Sequence, residues 1–167
     1  MEKKIIGICG VSCSGKSTLV KELKKYLPDD VDYVCFDDYY IRSRDLPDKS
    51  ISWEDPRHYK MREFIDDLKR LKRLDKQLVI VEGFLILFDK NARKLFDQTI
   101  FIDLPEQIMI NRRLKRRREG DTVTSILSTF ILGQREFVYS QKELADIVLS
   151  GSNSPQKLAR EVFSIIK

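Results

Sequence analysis

Short apolar runs and longer amphipathic stretches alternate along the whole chain. Ile5-Ile6-Gly7-Ile8-Cys9 is nearly continuous in its apolar character, and residues 31–36, 78–81, 99–104 and 146–149 form four more such runs. Runs of this length without strict polar alternation suit strands covered on both faces, as in a parallel sheet. Between them the period lengthens to about 3.6 residues, the spacing of a helix with one buried face. Leu19, Val20, Leu23 and Leu27 make one stripe, and Met61, Phe64, Ile65, Leu68, Leu71 and Leu74 make a second, on a helix expected from 57 to about 75. Val123, Ile126, Leu127, Phe130, Ile131, Phe137 and Val138 continue along a longer helix that runs through Gly133; a mid-helix glycine costs about 1 kcal/mol relative to alanine, which the apolar face is expected to offset. Ser154-Pro155 reads as an N-cap with proline at the first helical position, ahead of Leu158, Val162, Phe163 and Ile166. This order predicts an α/β fold, a five-stranded parallel sheet between two layers of helices.

No repeat, low-complexity tract or Gly/Pro/Ser-rich linker divides the 167 residues, so one domain with one core is expected. Two irregular, charged segments interrupt the rhythm: 37–56, with Asp37-Asp38-Tyr39-Tyr40, and 115–122, ending in Glu119-Gly120-Asp121. Such loops on a rigid α/β scaffold are where chemistry concentrates. No run approaches the roughly 18 to 20 apolar residues of a membrane span, and Met-Glu-Lys-Lys does not open a secretory signal, so a soluble, cytoplasmic protein is expected. Three cysteines, Cys9, Cys13 and Cys35, and the single His58 support neither a disulfide framework nor a zinc site. Histidine at that helix start is expected as a surface or capping residue.

The net charge of +5 changes the picture because it is concentrated: Arg112, Arg113, Lys115, Arg116, Arg117 and Arg118 fall within seven positions. Such a run can clamp phosphoryl groups, bind a nucleic-acid backbone or form a solvated helix face. No aromatic residues interleave it, which argues against a base-stacking platform. Its place after the strand ending at 104 and before the break at Gly120 favours a lid, at about 112–122, over a phosphate site.

That site is written in Gly10-Val11-Ser12-Cys13-Ser14-Gly15-Lys16-Ser17-Thr18, a full match to G-x-x-x-x-G-K-[ST] between an expected strand and helix. Glycines let the loop wrap phosphates, backbone N–H groups point inward, and the helix N-terminus adds partial positive charge. Lys16 would reach the β- and γ-phosphates and Ser17 would hold Mg²⁺ through its hydroxyl. Glu82 ends an apolar strand where a parallel sheet opens its ligand crevice, so it either supports the metal or caps the next turn. Asp37, with Asp38 as its rival, ends the second strand at the same edge and could take a proton from an attacking hydroxyl. Tyr39 and Tyr40 either line a substrate pocket or cover the core.

Together these blocks resemble the P-loop small-molecule kinases that include uridine/cytidine kinases, nicotinamide riboside kinases and phosphoribulokinase. The resemblance rests on Ile6-Gly7-Ile8 leading into the phosphate loop, Asp37-Asp38-Tyr39-Tyr40, Trp53-Glu54-Asp55-Pro56, Val81-Glu82-Gly83-Phe84-Leu85, Arg112-Arg113-Leu114-Lys115-Arg116 and Ala145-Asp146-Ile147-Val148. It implies a three-layer P-loop nucleoside triphosphate hydrolase fold with an arginine-rich lid, and an ATP-dependent kinase phosphorylating a primary hydroxyl of a nucleoside-like small molecule such as uridine, cytidine or nicotinamide riboside. It implies that Asp37 is the general base, that Ser17 and Glu82 serve Mg²⁺, and that Arg112, Arg113 and Arg116 belong to a lid contacting ATP and the transferred phosphate. Trp53-Glu54 matches an aromatic-then-acid pair whose acid binds ribose hydroxyls. Here that acid is Glu54 where most members have aspartate, and its other reading is a cap for the helix near Arg57. Between Pro56 and Leu78 the β-hairpin with which uridine kinases read the base is missing. Phe84-Leu85 lies somewhat closer to the nicotinamide riboside kinases, and Arg135 falls near an arginine that those kinases carry in a similar helix. The alternatives are a P-loop ATPase or switch acting on a partner, and a kinase of a non-nucleoside such as pantothenate.

Overall fold

The computed structural model describes residues 3–41, 52–74, 77–116 and 122–167. The five apolar runs become β1 (Lys4–Gly10), β2 (Val31–Cys35), β3 (Leu78–Glu82), β4 (Gln98–Asp103) and β5 (Ile147–Ser150), paired all-parallel in the order β2-β3-β1-β4-β5. Among the described residues six helices accompany them: α1 (Lys16–Leu23), α2 (Met61–Arg73), α3 (Lys90–Arg93), α4 (Glu106–Lys115), α5, a composite over 123–138, and α6 (Pro155–Ile166).

The period of two along a strand divides the core. Ile6 and Ile8 of β1, with Ile80, Ile100 and Ile102, face Leu19, Val20 and Leu23 of α1 and Leu158, Ala159, Val162 and Ile166 of α6. Ile5 and Cys9, with Val79, Val81 and Phe101, face Phe64 and Leu68 of α2, Met109 of α4, and Ile126, Phe130, Ile131 and Val138 of α5. Three layers therefore form, and each buried Leu, Ile or Phe contributes about 1.5–3 kcal/mol relative to an exposed one. No helix among the described residues is long and apolar enough to cross a membrane.

Several boundaries differ from those the sequence suggests. β2 stops at Cys35, and Phe36–Tyr39 turns as a 3₁₀ helix because Phe36 is pulled into the core, stacked on Tyr59 and edge-on to Phe64 with ring centroids 4.9 Å away in both cases. The 57–75 helix begins only at Met61. Ahead of it Pro56–His58 forms a separate 3₁₀ turn, started by Asp55 accepting the Arg57 N–H at 2.8 Å and followed by an extended Tyr59 that bridges to Tyr40. His58 is correspondingly buried rather than at the surface, and its carbonyl accepts the Ile41 N–H. β5 starts one residue late because the Asp146 carboxylate is tied to the neighbouring strand, where it accepts both the N–H (2.8 Å) and hydroxyl (2.7 Å) of Thr99 on β4.

The long helix is also less regular than its stripe implies. Thr122 and Ser125 close a capping box at its start, and two π-type stretches, Ile126–Phe130 and Gln134–Val138, flank an α-helical turn at Ile131–Gly133. The buried residues nevertheless keep to one stripe, Ile126, Phe130, Ile131, Gln134 and Val138.

Asp146→Ala should leave the Thr99 N–H and hydroxyl hydrogen without their acceptor, although the hydroxyl oxygen keeps the residue-146 N–H, at a cost of about 1–3 kcal/mol. Thermal unfolding should then report a Tm lower by several degrees at roughly 2–4 °C per kcal/mol for a domain of this size, with Asp146→Asn losing less because its amide oxygen still accepts; an unchanged Tm for the alanine variant would remove Asp146 as the latch between β4 and β5.

Candidate active site

β1 ends in Gly10, whose φ of 150° and lack of a Cβ let it lie directly against the backbone of Ile102 on β4. The chain then turns through Cys13 (φ 60°) and Gly15 (φ 96°) into α1. A non-glycine residue at positive φ costs about 1–2 kcal/mol and needs support from its surroundings. Arg112 of α4 supplies it, donating to the carbonyls of Cys13 at 3.0 Å and Gly151 at 3.2 Å. Arg112 thus braces the phosphate loop from behind β5 and is not among the residues lining the cleft. Val11 and Ser14 are buried within the loop and shape it, while Lys16 Nζ donates to the carbonyls of Gly10 (2.8 Å) and Val11 (3.0 Å).

The strand order places the acids. β3 lies between β1 and β2, with Glu82 in register with Ile8 on one side and Cys35 on the other. The Glu82 carboxylate accepts the Ser17 hydroxyl at 3.2 Å. Burial pushes the Glu82 carboxyl above the usual carboxylate range; the Lys16 charge and the Ser17 hydrogen bond oppose that, and the charges of Asp37 and Asp38 add to it. Asp37, on the turn after β2, lines the same cleft. Ser17 and Glu82 offer oxygen donors beside a phosphate loop, a chemistry that suits Mg²⁺. Among the described residues no group of three or more His, Cys, Asp or Glu could enclose a cation, and Mg²⁺ bound through one or two carboxylates, phosphates and water requires none.

One cleft of about 990 Å³, including its open mouth, gathers Ser12, Cys13, Gly15, Lys16, Ser17 and Thr18 with Cys35, Asp37, Glu82, Gly83 and Phe84, and with Trp53, Glu54, Tyr59, Arg113, Arg116 and Gln134. Trp53 is exposed and stacks on Tyr40 at 4.7 Å with planes 16° apart, so Tyr40 supports the rim from outside the lining. Tyr39 takes the core-covering alternative: its ring packs edge-on to Phe64 and its hydroxyl donates to Asp67 at 2.8 Å. Arg113 and Arg116 reach the cleft from the end of α4, Arg113 with its guanidinium 5.3 Å from the Phe130 ring; Arg117, Arg118 and the rest of the expected lid through 121 lie outside the described residues.

Glu54 is buried, with only 6% of its surface exposed, although it is a carboxylate. One oxygen accepts the Ser52 hydroxyl and the other the Gln134 side-chain amide at 3.1 Å. Burial raises its carboxyl above the ordinary value of 4.5, against the two hydrogen bonds and the charge of Arg113. Capping of the following turn belongs to Asp55, not to Glu54. Gly133 explains how the acid comes so close: a Cβ there would collide with Ser52 and with the Glu54 carboxylate, so the glycine serves this contact, a role beyond the helix cost that the apolar stripe offsets.

Arg135 does not join the cleft. Gln134 continues the buried stripe of α5 into the cleft, and Arg135 beside it is exposed, paired with Glu106 at the start of α4 at 2.7 Å. Gln134, fully buried, accepts the Ser12 N–H at 2.9 Å as well as holding Glu54. Sequence reasoning passed over Gln134, Tyr59 and Cys35; a Gly-Gln pair interrupting an otherwise apolar stripe was the one signal that could have found the glutamine. The Cys35 thiol is pushed up to about 11, chiefly by burial, so it stays protonated at neutral pH.

A family model described as AAA domain matches residues 6–132. A uridine kinase of Borreliella burgdorferi (strain ZS7) is 30% identical over 177 aligned positions, covering 87% of this chain and 85% of that protein. A uridine kinase of Chlamydia pneumoniae is 28% identical over 193 positions, covering 96% and 86%. Among solved structures, a possible uridine kinase from Bacillus stearothermophilus shares the fold with a TM-score of 0.61 at 17% identity, over 89% of each chain.

Because the folded-state pKa of Glu54 lies above its ordinary value, the stability it lends is present at low pH and is lost as pH rises through the folded value. Glu54→Gln should therefore raise the Tm at pH 8, and the gain should fade as pH falls through the raised folded value, where the wild-type acid takes up its proton; a destabilised variant at pH 8 would contradict a buried, ionised Glu54.

Proposed function

Because the chain belongs to the AAA-domain family and to the uridine kinase-like P-loop kinases, we propose that it transfers the γ-phosphate of ATP to the primary hydroxyl of a ribonucleoside, uridine or cytidine first, with nicotinamide riboside next. At the level of reaction class it is an ATP-dependent phosphotransferase acting on a hydroxyl. The observation that carries the substrate reading is the buried, hydrogen-bonded Glu54 sharing one cleft with Lys16 and Asp37. A carboxylate whose oxygens each keep a free lone pair after binding Ser52 and Gln134 is suited to accept two vicinal hydroxyls. Trp53, backed by Tyr40, and Tyr59 offer flat apolar faces at the same cleft for a base.

In this reading the acceptor's hydroxyl oxygen attacks the γ-phosphorus in line, Asp37 accepts the hydroxyl proton, and the bond to the β–γ bridging oxygen breaks to release ADP. Lys16, Arg113 and Arg116 hold positive charge where the transferring oxygens lie, and the backbone N–H groups of the loop keep the phosphates aligned. Mg²⁺, held through Ser17 and Glu82, would neutralise phosphate charge when bound with the nucleotide. Among the described residues between Pro56 and Leu78 only a 3₁₀ turn and α2 occur, so base discrimination falls to the Trp53–Tyr40 stack and is expected to be broad.

ADP release with MgATP should be stimulated by uridine or cytidine well above a no-acceptor blank, and far less by 2′-deoxyuridine or pantothenate. Steady hydrolysis in the blank with a flat panel would point instead to a P-loop ATPase or switch. Asp37→Asn should lower kcat by about 10²- to 10⁴-fold, the usual worth of a general base, with little change in nucleotide affinity; near-normal turnover would acquit Asp37.

A further inference from the structure

The Gln134 side chain spans two sites. Its oxygen accepts the Ser12 N–H of the phosphate loop at 2.9 Å and its nitrogen donates to Glu54 at 3.1 Å, and the residue is fully buried at the cleft wall. The two ends are chemically distinct, so the amide has one orientation: flipped, it would set a donor against the Ser12 N–H and an acceptor against a carboxylate. The backbone is built for the contact. Gly133 has no Cβ to hold Ser52 and Glu54 away from α5, and Gln134, on the buried stripe of that helix, points into the cleft while Arg135 beside it is exposed. A charged donor here would pair with Glu54 outright; a neutral amide orients the carboxylate and leaves it able to accept from a ligand.

We propose that Gln134 is a positioning residue that couples the acceptor pocket to the phosphate loop, so that nucleotide and acceptor bind cooperatively through this amide. The proposal rests on the reading of Glu54 as the acceptor's anchor. Phosphates engaged by the loop fix Ser12, Ser12 fixes the amide, and the amide fixes the Glu54 oxygen that meets the acceptor. The reverse holds equally, because coupling between two binding sites is reciprocal.

The test is calorimetric titration of uridine into the protein with and without Mg²⁺ and the β,γ-imido analogue of ATP, for the wild type, Gln134→Leu and Gln134→Met, alongside the uridine KM and kcat of each. In the wild type the analogue should tighten uridine by about 5- to 150-fold, the usual range of site coupling. In Gln134→Leu that ratio should fall to within about twofold of one, whatever happens to either affinity separately, and the uridine KM should rise more than kcat falls. Gln134→Met, close in volume to glutamine but without either hydrogen bond, should also lose the coupling and carries the test if the leucine variant fails to fold. A merely structural residue would lower Tm and shift both affinities while leaving the ratio intact, and that result, or a wild type without coupling, overturns the proposal. A wild type that neither binds nor phosphorylates uridine, cytidine or nicotinamide riboside overturns the nucleoside reading itself, and the proposal with it.

Discussion

The parallel pairing of β1 with β3 is the constraint from which the site follows. With Ile8 opposite Glu82 and the Gly83 N–H donating to the Ile8 carbonyl at 3.1 Å, the acid at the end of one strand must stand beside the loop that leaves the other. The hydroxyl of Ser17, one residue into α1, then meets Glu82 without any long side chain having to reach. β2 on the far side of β3 delivers Asp37 to the same edge, because parallel strands all end in the same direction. Gly10 contributes by omission: a side chain there would push against the Ile102 backbone and part β1 from β4 at the root of the loop.

The other half of the cleft is made differently. Glu54 comes from an irregular segment and is held by α5, whose buried stripe presents a glycine and a glutamine where the segment docks. Its carboxylate is buried and is met by neutral donors from Ser52 and Gln134, with Arg113 contributing only at a distance. Such an arrangement holds a charge in place without neutralising it, which costs stability and preserves capacity for a ligand. The phosphate side shows the same logic: the positive φ of Cys13 is strained backbone, and the Arg112 guanidinium bonded to its carbonyl holds it there.

What could be read from the sequence was what is local. The phosphate loop announces itself because its glycines, lysine and hydroxyl act within nine consecutive residues. The strands announce themselves because a sheet covered on both faces needs uninterrupted apolar runs. Glu82 and Asp37 were legible one step further, since their positions at strand ends imply the crevice once the sheet is parallel. Tyr39 and Tyr40 were not: the same Asp-Asp-Tyr-Tyr block sends one ring to Phe64 and the other to Trp53, and only the packing of Phe36 into the core decides which.

Sequence by itself therefore determined the α/β layering, the phosphate loop and the strand-end acids, because hydrophobic period and chain direction fix those without reference to distant residues. Tertiary structure alone decided that Gln134 bonds both the phosphate loop and Glu54, that Glu54 is buried, and that Arg112 braces the loop. Each of these depends on a contact between residues 80 or more positions apart, and neither a period nor a motif encodes where such a contact will close.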